Sequence, residues 1–230
     1  TQRELPQLAL LAPRYDAGAL CIEAAGHAPL RVPLDADGRR FETRVWADAC
    51  AVIDAGEEAA CWLDAVVAAP WPCRLVRMQA GFRRQLARAP LLGEDASTVF
   101  ADAAPFLVAN TASLAALNAA LAARGEASVT IERFRPNIVL EGFPAFAEHA
   151  IAELRTGAGA FRLCYPCERC AVITVDPARG ERDAAGIAAF RALAVQNPLP
   201  GTTKPLFGMN ATWSGAETTL CTGHEFVIHP

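Results

Sequence analysis

Two hydrophobic rhythms alternate along the chain. Through the first third, apolar residues come in short runs separated by Gly, Pro and Asp. "ALCIEAAGHAPLRVPL" holds two such runs around Gly26–His27, and the spacing predicts a β-hairpin. A turn at Asp35–Gly38 precedes "FETRVWADACAVI", which reads as strand. "DAGEEAACWLDAVVAAP" reads as a helix. Asp54 is its candidate N-cap, Glu57 and Glu58 suit its first turn, and Pro70 ends it. "CRLVRMQ" returns to strand. The strongest helical spacing follows, where Leu114, Leu117 and Leu121 recur, Thr111 or Ser113 caps the start and Gly125 follows the end.

"SVTIERFRPNIVLEG" reads as a strand interrupted by Pro136. "PAFAEHAIAELRTG" reads as a short helix ending at Gly157, and "FRLCYPCERCAVITVDP" as a strand broken at Pro166. "RDAAGIAAFRALA" is a late helix and "TTLCTGHEFVI" a final strand. Strands at both ends with helices between predict an α+β fold, a β-barrel carrying helices, rather than alternating βαβ units.

Composition narrows the class. The chain has 230 residues, enough for one large domain or two small ones. Hydrophobic residues make up 53%, which excludes a disordered chain. A net charge of −4 lacks the basic face of a nucleic-acid binder. The short basic run from Arg77 to Arg88 reads as solvated surface by default, with anion binding as the minority alternative. No stretch approaches the roughly 18 uninterrupted apolar residues of a membrane span, and no signal peptide is visible. The eight cysteines are not evenly spaced. The expectation is a cytoplasmic protein with free thiols and neither nucleic acid nor membrane as partner. The opening "TQRELPQLALLAP" has no Met and enters an apolar run at once, like the middle of a domain, so further sequence is expected before Thr1.

Two stretches carry candidate chemistry. In "CYPCERC", Cys164, Cys167 and Cys170 stand three apart. An iron–sulfur run of this spacing adds a fourth cysteine followed by Pro, zinc takes four ligands in separated pairs, and a redox dithiol opens a helix. Buried inert thiols remain the plain reading. Arg169 favours a thiolate at its neighbour Cys170, and one thiolate suits a soft transition metal whose other ligands come from a cofactor. In "ERFRPNIVLEG", Arg133 and Arg135 share strand parity, and Asn137 brings a donor and an acceptor. Together they suit an anionic ligand rich in heteroatoms, or else a charged strand edge. "FGMN" is read as a turn before a strand, or as a place where Gly208 and Asn210 meet a ligand.

"FADAAPFLVANTASLAALN", "RFRPNIVLEG", "PCERCAVITVDPARGER" and "LFGMN", in that order, resemble the MOSC-domain family. The closer resemblance is to the branch of the mitochondrial amidoxime-reducing component and its bacterial relatives. It implies a MOSC β-barrel with peripheral helices over residues 92–230. Residues 1–91 would be the remainder of a MOSC N-terminal β-barrel domain whose opening strands precede Thr1. It also implies a molybdenum–molybdopterin cofactor with Cys170 as metal ligand and catalytic residue. Arg135 and Asn137 would hold the pterin and its phosphate, with Glu168 and the turn Asp102, Ala103 and Ala104 lining the site. The implied activity is oxygen-atom transfer from small N-hydroxylated substrates, with a separate reductase supplying electrons. The alternative is a cofactor-binding or sulfur-carrier module without turnover. At the level of the family, pyridoxal phosphate binding is implied as well.

Overall fold

Short apolar runs become two small sheets in the first of two units, which comprises residues 1–84 and 175–182. The computed structural model describes residues 1–86, 88–93 and 96–230, and of Gln85 only the backbone. Strands β1 (Ala12–Asp16), β2 (Ala19–Glu23) and β3 (Leu30–Pro33) form one antiparallel sheet, so the hairpin around Gly26–His27 is present. Strands β4 (Arg40–Val45), β5 (Asp48–Asp54) and β6 (Val76–Met78) form the other. The single strand expected from Phe41 to Ile53 is therefore a hairpin, because Trp46 takes a left-handed backbone with φ 58°.

Helix α1 (Glu57–Val67) packs Leu63 and Val67 on Leu5, and Ala59 on Ile22 and Leu30. Its N-cap is Gly56, not Asp54. Asp54 is buried and accepts from the Gly56 amide at 2.9 Å and from Arg74 Nη2 at 2.6 Å. Burial pushes its carboxyl up, but the Arg74 guanidinium and the Gly56 amide outweigh it and hold it below the usual range.

The second unit, residues 85–174 and 183–230, holds the larger core. Its strands are β7 (Phe106–Asn110), β8 (Ile138–Leu140), β9 (Glu153–Arg155), β10 (Gly159–Glu168), β11 (Leu206–Gly215) and β12 (Val227–His229). They form one sheet in the order β8-β7-β11-β10-β9-β12, with β8 parallel to β7 and every other pair antiparallel. Helices α2 (Thr111–Ala122) and α3 (Ala184–Gln196) bury Leu117, Leu121 and Leu193 with Phe134, Ile173 and Phe207. A separate cluster joins Val108, Leu154, Phe161 and Met209. The two edge strands β8 and β12 line one cleft of about 800 Å³, so the sheet curls until its edges face a common space. The fold is α+β, as its strand-rich ends imply.

Elsewhere distant partners override local pattern. The strand expected through Ile131–Arg135 is a 3-10 helix, Ile131–Phe134, followed by left-handed Arg135 at φ 56°. Phe134 stacks on Phe207 with ring centroids 3.9 Å apart, which holds that turn against the core. Arg133 and Arg135 thus do not share a strand face. The helix expected over Pro144–Gly157 is a 3-10 turn, Ala147–Ala150, and then β9. Fully buried Glu148 fixes the turn by accepting from Ser113 Oγ at 2.9 Å and from Asn110 Nδ2 at 3.1 Å. Asn110, one residue before the expected cap, also caps α2 by accepting from the Ala112 amide. After Cys170 the expected strand gives way to the 3-10 helix Ala171–Thr174. The late helix forms as α3, while the final strand shortens to β12. Among the described residues no helix is long and apolar enough to cross a membrane.

"FGMN" is a bulge inside β11 rather than a turn. Pro166 pairs with Met209 and Glu168 with Leu206, so Phe207 and Gly208 together face Cys167 alone. Gly208 has φ +75°, and a Cβ there would stand 2.5 Å from the Val108 carbonyl oxygen. The bulge sends Phe207 to the helix-side core and Met209 to the other cluster. Gly208→Ala meets both a disfavoured backbone and a backbone neighbour, so it is expected to destabilise the protein by more than about 1 kcal/mol. A shift of the urea midpoint at constant slope reads this directly, and an unchanged midpoint would show that the bulge relaxes freely.

Candidate functional site

Arg169 joins the two motif loops. Its amide donates to the Pro205 carbonyl at 2.8 Å, which pins the chain as it leaves β10. Its guanidinium donates from Nη2 to the Phe134 carbonyl at 3.0 Å and from Nη1 to Cys167 Sγ at 3.0 Å. Arg169 Nε is buried without a partner. The expected action of Arg169 on Cys170 is not what the side chain does. The guanidinium reaches back to Cys167, two residues earlier, instead.

The three thiols have separate surroundings. Leu163 pairs with Ala211 and Tyr165 with Asn210, which makes Cys164 a bulge residue with no cross-strand partner. Its thiol lies 3.3 Å from the Arg162 carbonyl and 3.8 Å from Thr212 Oγ1. Cys170 is half-buried, and its thiol has no hydrogen-bond partner among the described residues. All eight cysteines are free. Among the described residues no three His, Cys, Asp or Glu side chains converge in a way that could hold a metal ion.

Glu168 closes β10 between two cations. Oε1 accepts from Arg88 Nη2 at 2.6 Å and Oε2 from Lys204 Nζ at 3.0 Å. Those two bonds, Arg88's the larger, hold its carboxyl below the usual range. The Arg88 guanidinium also lies 5.1 Å from the Tyr165 ring centroid. Tyr165 donates its hydroxyl to the Ala103 carbonyl at 3.0 Å, and burial pushes that hydroxyl's pKa up. Tyr165 thereby ties the Asp102–Ala104 turn to the cysteine strand. Asp102 and Ala103 are exposed, while Ala104 packs with Leu86, Leu92 and Tyr165.

Asn137 is exposed and half committed. Its amide donates to the Leu107 carbonyl and its Oδ1 accepts from the Leu107 amide, both at 2.8 Å, which lays β8 beside β7. Nδ2 is left as the donor for a ligand. Asn137 also lines the 800 Å³ cleft, whereas Cys170, Arg135, Glu168 and the Asp102–Ala104 turn do not. Arg135 is exposed on its left-handed turn. Arg133 is buried and makes a bidentate pair with Asp183, at 3.0 and 2.6 Å, where Asp183 also caps α3.

Sequence reading missed Arg88, Tyr165 and Lys204. Arg88 closes the basic run read by default as solvated surface, and Lys204 stands just before the "LFGMN" motif.

Two outcomes follow from these pairs. Arg133→Ala removes the bidentate pair and, with Asp183 20% exposed, is expected to cost about 3 kcal/mol of unfolding free energy, the low end for a buried pair, read by urea denaturation. A loss under a tenth of that would mean the pair is dispensable. Glu168 has a lowered folded pKa, so its contribution to stability is present above the ordinary glutamate value and is lost as pH falls through the folded value. A carboxyl NMR titration should place its midpoint below that of an exposed glutamate, and Arg88→Ala should move it upward.

The chain is similar in sequence to known proteins. The MOSC domain model matches residues 95–227, more than half the chain, and the MOSC N-terminal beta barrel domain model matches residues 1–70. Mitochondrial amidoxime-reducing component 1 of Xenopus laevis is 30% identical over 185 residues, 78% of this chain and 53% of that protein. Mitochondrial amidoxime reducing component 2 of Bos taurus is 32% identical over 187 residues, 80% of this chain and 54% of that protein. Molybdenum cofactor sulfurase of Homo sapiens is 29% identical over 201 residues, 80% of this chain and 22% of that protein. The chain spans about half the length of the amidoxime-reducing components and about a fifth of the sulfurase. With both models matched in order, the chain belongs to the MOSC-domain family and carries the MOSC N-terminal β-barrel domain ahead of the MOSC domain.

Proposed function

We propose that this chain is the cofactor-binding part of a molybdenum–molybdopterin oxidoreductase that reduces N-hydroxylated compounds, amidoximes among them. The observation that carries the reading is the junction at Arg169, which brings the "FRPN" loop against the "PCERC" strand next to the unpartnered thiol of Cys170. The names of the relatives support the same class, amidoxime reduction in two and the molybdenum cofactor in one.

The residues fit such a group. A metal that takes most of its donors from a pterin dithiolene needs one soft protein ligand rather than a closed cage. Cys170 would bind it through Sγ. The buried, unpartnered Nε of Arg169 marks a polar site whose donors are not all used by the protein. Asn137 Nδ2 and the Arg135 guanidinium would donate to the polar edge and phosphate of the pterin. In the Asp102–Ala104 turn, Tyr165 occupies the Ala103 carbonyl, so the turn offers chiefly amide donors. When bound, the cofactor supplies two-electron chemistry that takes the oxygen from an N–OH group. The chain's part is to hold and orient the cofactor and admit the substrate. A separate reductase would supply the electrons.

The second reading is a cofactor-holding or sulfur-carrying module without turnover. The alignment with the sulfurase favours it, since 80% of this chain is engaged but only 22% of that protein.

Protein made in a cofactor-competent host is expected to carry stoichiometric molybdenum and to reduce amidoximes with a chemical electron donor. Cys170→Ser should bring the metal to background, while Cys164→Ala should retain it. Bound molybdenum without turnover would select the second reading. Stoichiometric iron with acid-labile sulfide would sink both.

A further inference from the structure

Of the 21 Lys and Arg residues, one is a lysine, and it lies beside the cysteine turn. Lys204 Nζ meets Glu168 Oε2 at 3.0 Å, while Arg88 Nη2 meets Oε1 at 2.6 Å. The two cations come from distant segments, and each has its own support. Arg88 lies over the Tyr165 ring, whose hydroxyl is tied to Ala103. Lys204 closes a tight turn, its amide donating to Thr202 Oγ1 at 3.1 Å and its carbonyl accepting from the Leu199 amide at 2.8 Å. The next carbonyl, of Pro205, accepts the Arg169 amide. Glu168 is thus the point at which two cations on separately supported segments meet.

A carboxylate that bridges an arginine and a lysine offers them nearly the same pair of oxygens as a phosphate does. We infer that Arg88 and Lys204 form a binding pair for a tetrahedral oxyanion, free or as the phosphate group of a larger ligand, and that Glu168 is the internal occupant which that ligand displaces. A dianion between two cations is held more strongly than a single carboxylate. Release of Glu168 breaks two charge-assisted bonds, which the oxyanion replaces with bonds of its own to the same two cations. The pair is separate from Arg135 and Asn137, to which the proposed function gives the pterin phosphate. Its role in an oxidoreductase rests on that reading, but its ligand chemistry does not.

The experiment uses the single lysine. Acylation of purified protein by an amine-reactive ester, followed by peptide mass spectrometry, reads Lys204 as the only side-chain amine. Inorganic phosphate should slow that acylation, and chloride at equal ionic strength should not. Glu168→Gln, which keeps the side-chain shape, should lower the half-protecting phosphate concentration about tenfold, the value of one charge-assisted bond. Arg88→Ala should raise it. A phosphate monoester in a parallel arm distinguishes the sources. Stronger protection by the ester supports the phosphate group of a larger ligand, and equal or weaker protection supports the free ion. Protection by neither, or a half-protecting concentration unchanged in Glu168→Gln, would overturn the inference. None of these readouts needs molybdenum, so failure here leaves the cofactor reading standing, and loss of metal binding leaves the oxyanion pair standing.

Discussion

The Arg169 guanidinium is the tie on which the candidate site depends. It links the Phe134 carbonyl to Cys167 Sγ, and so links a turn on one side of the sheet to the end of β10. Phe134 is stacked on Phe207, and Phe207 is placed by the bulge at Gly208. The chain of cause runs from a glycine forced by backbone contact, through a buried aromatic pair, to the carbonyl that Arg169 grips. Two residues within the loops then keep different tasks. Cys167 accepts from the guanidinium and holds the turn, and the Cys170 thiol keeps no hydrogen-bond partner among the described residues.

Elements set by local spacing were legible in the sequence. The Gly26–His27 hairpin, α1, α2 and α3 rest on turn residues or on apolar residues at helical intervals, and all are present. The elements misread are those whose decisive partner is far away. Glu148 meets Ser113 across 35 residues, and Arg133 meets Asp183 across 50. Neither pairing leaves a trace in local periodicity, so an apolar segment read as helix becomes a turn and a presumed strand face becomes a buried ion pair. The site motifs were legible as residue types and in order. What they touch was not, because Arg88 and Lys204 reach Glu168 across 80 and 36 residues.

Two opposed bulges explain how a regular sheet presents irregular chemistry. One adds Cys164 to β10 and the other adds a residue to β11 near Gly208, and they bracket Tyr165 and Pro166. A bulge turns side chains away from the period-two alternation of a strand. Tyr165 is thereby free to reach the Ala103 carbonyl, and the strand end beyond Pro166 faces Arg88, Lys204 and the Phe134 turn. The wide sheet beneath supplies rigidity through its two core clusters, and the bulges supply direction.

Charge at this strand end runs against the charge of the whole. The chain carries −4 overall, yet Arg88 and Lys204 meet at one carboxylate beside the cysteine turn. An acidic protein that concentrates cations in one place repels anions generally and accepts them locally. Glu168 tempers that place. Among the described residues it is the carboxylate that pairs with both cations, and it competes with whatever anion arrives. A hydroxyl in its position would remove the competition. The carboxylate two residues before Cys170 thus sets how selective the pair is, since only a ligand with two well-spaced oxygens and more than one negative charge replaces it with a gain.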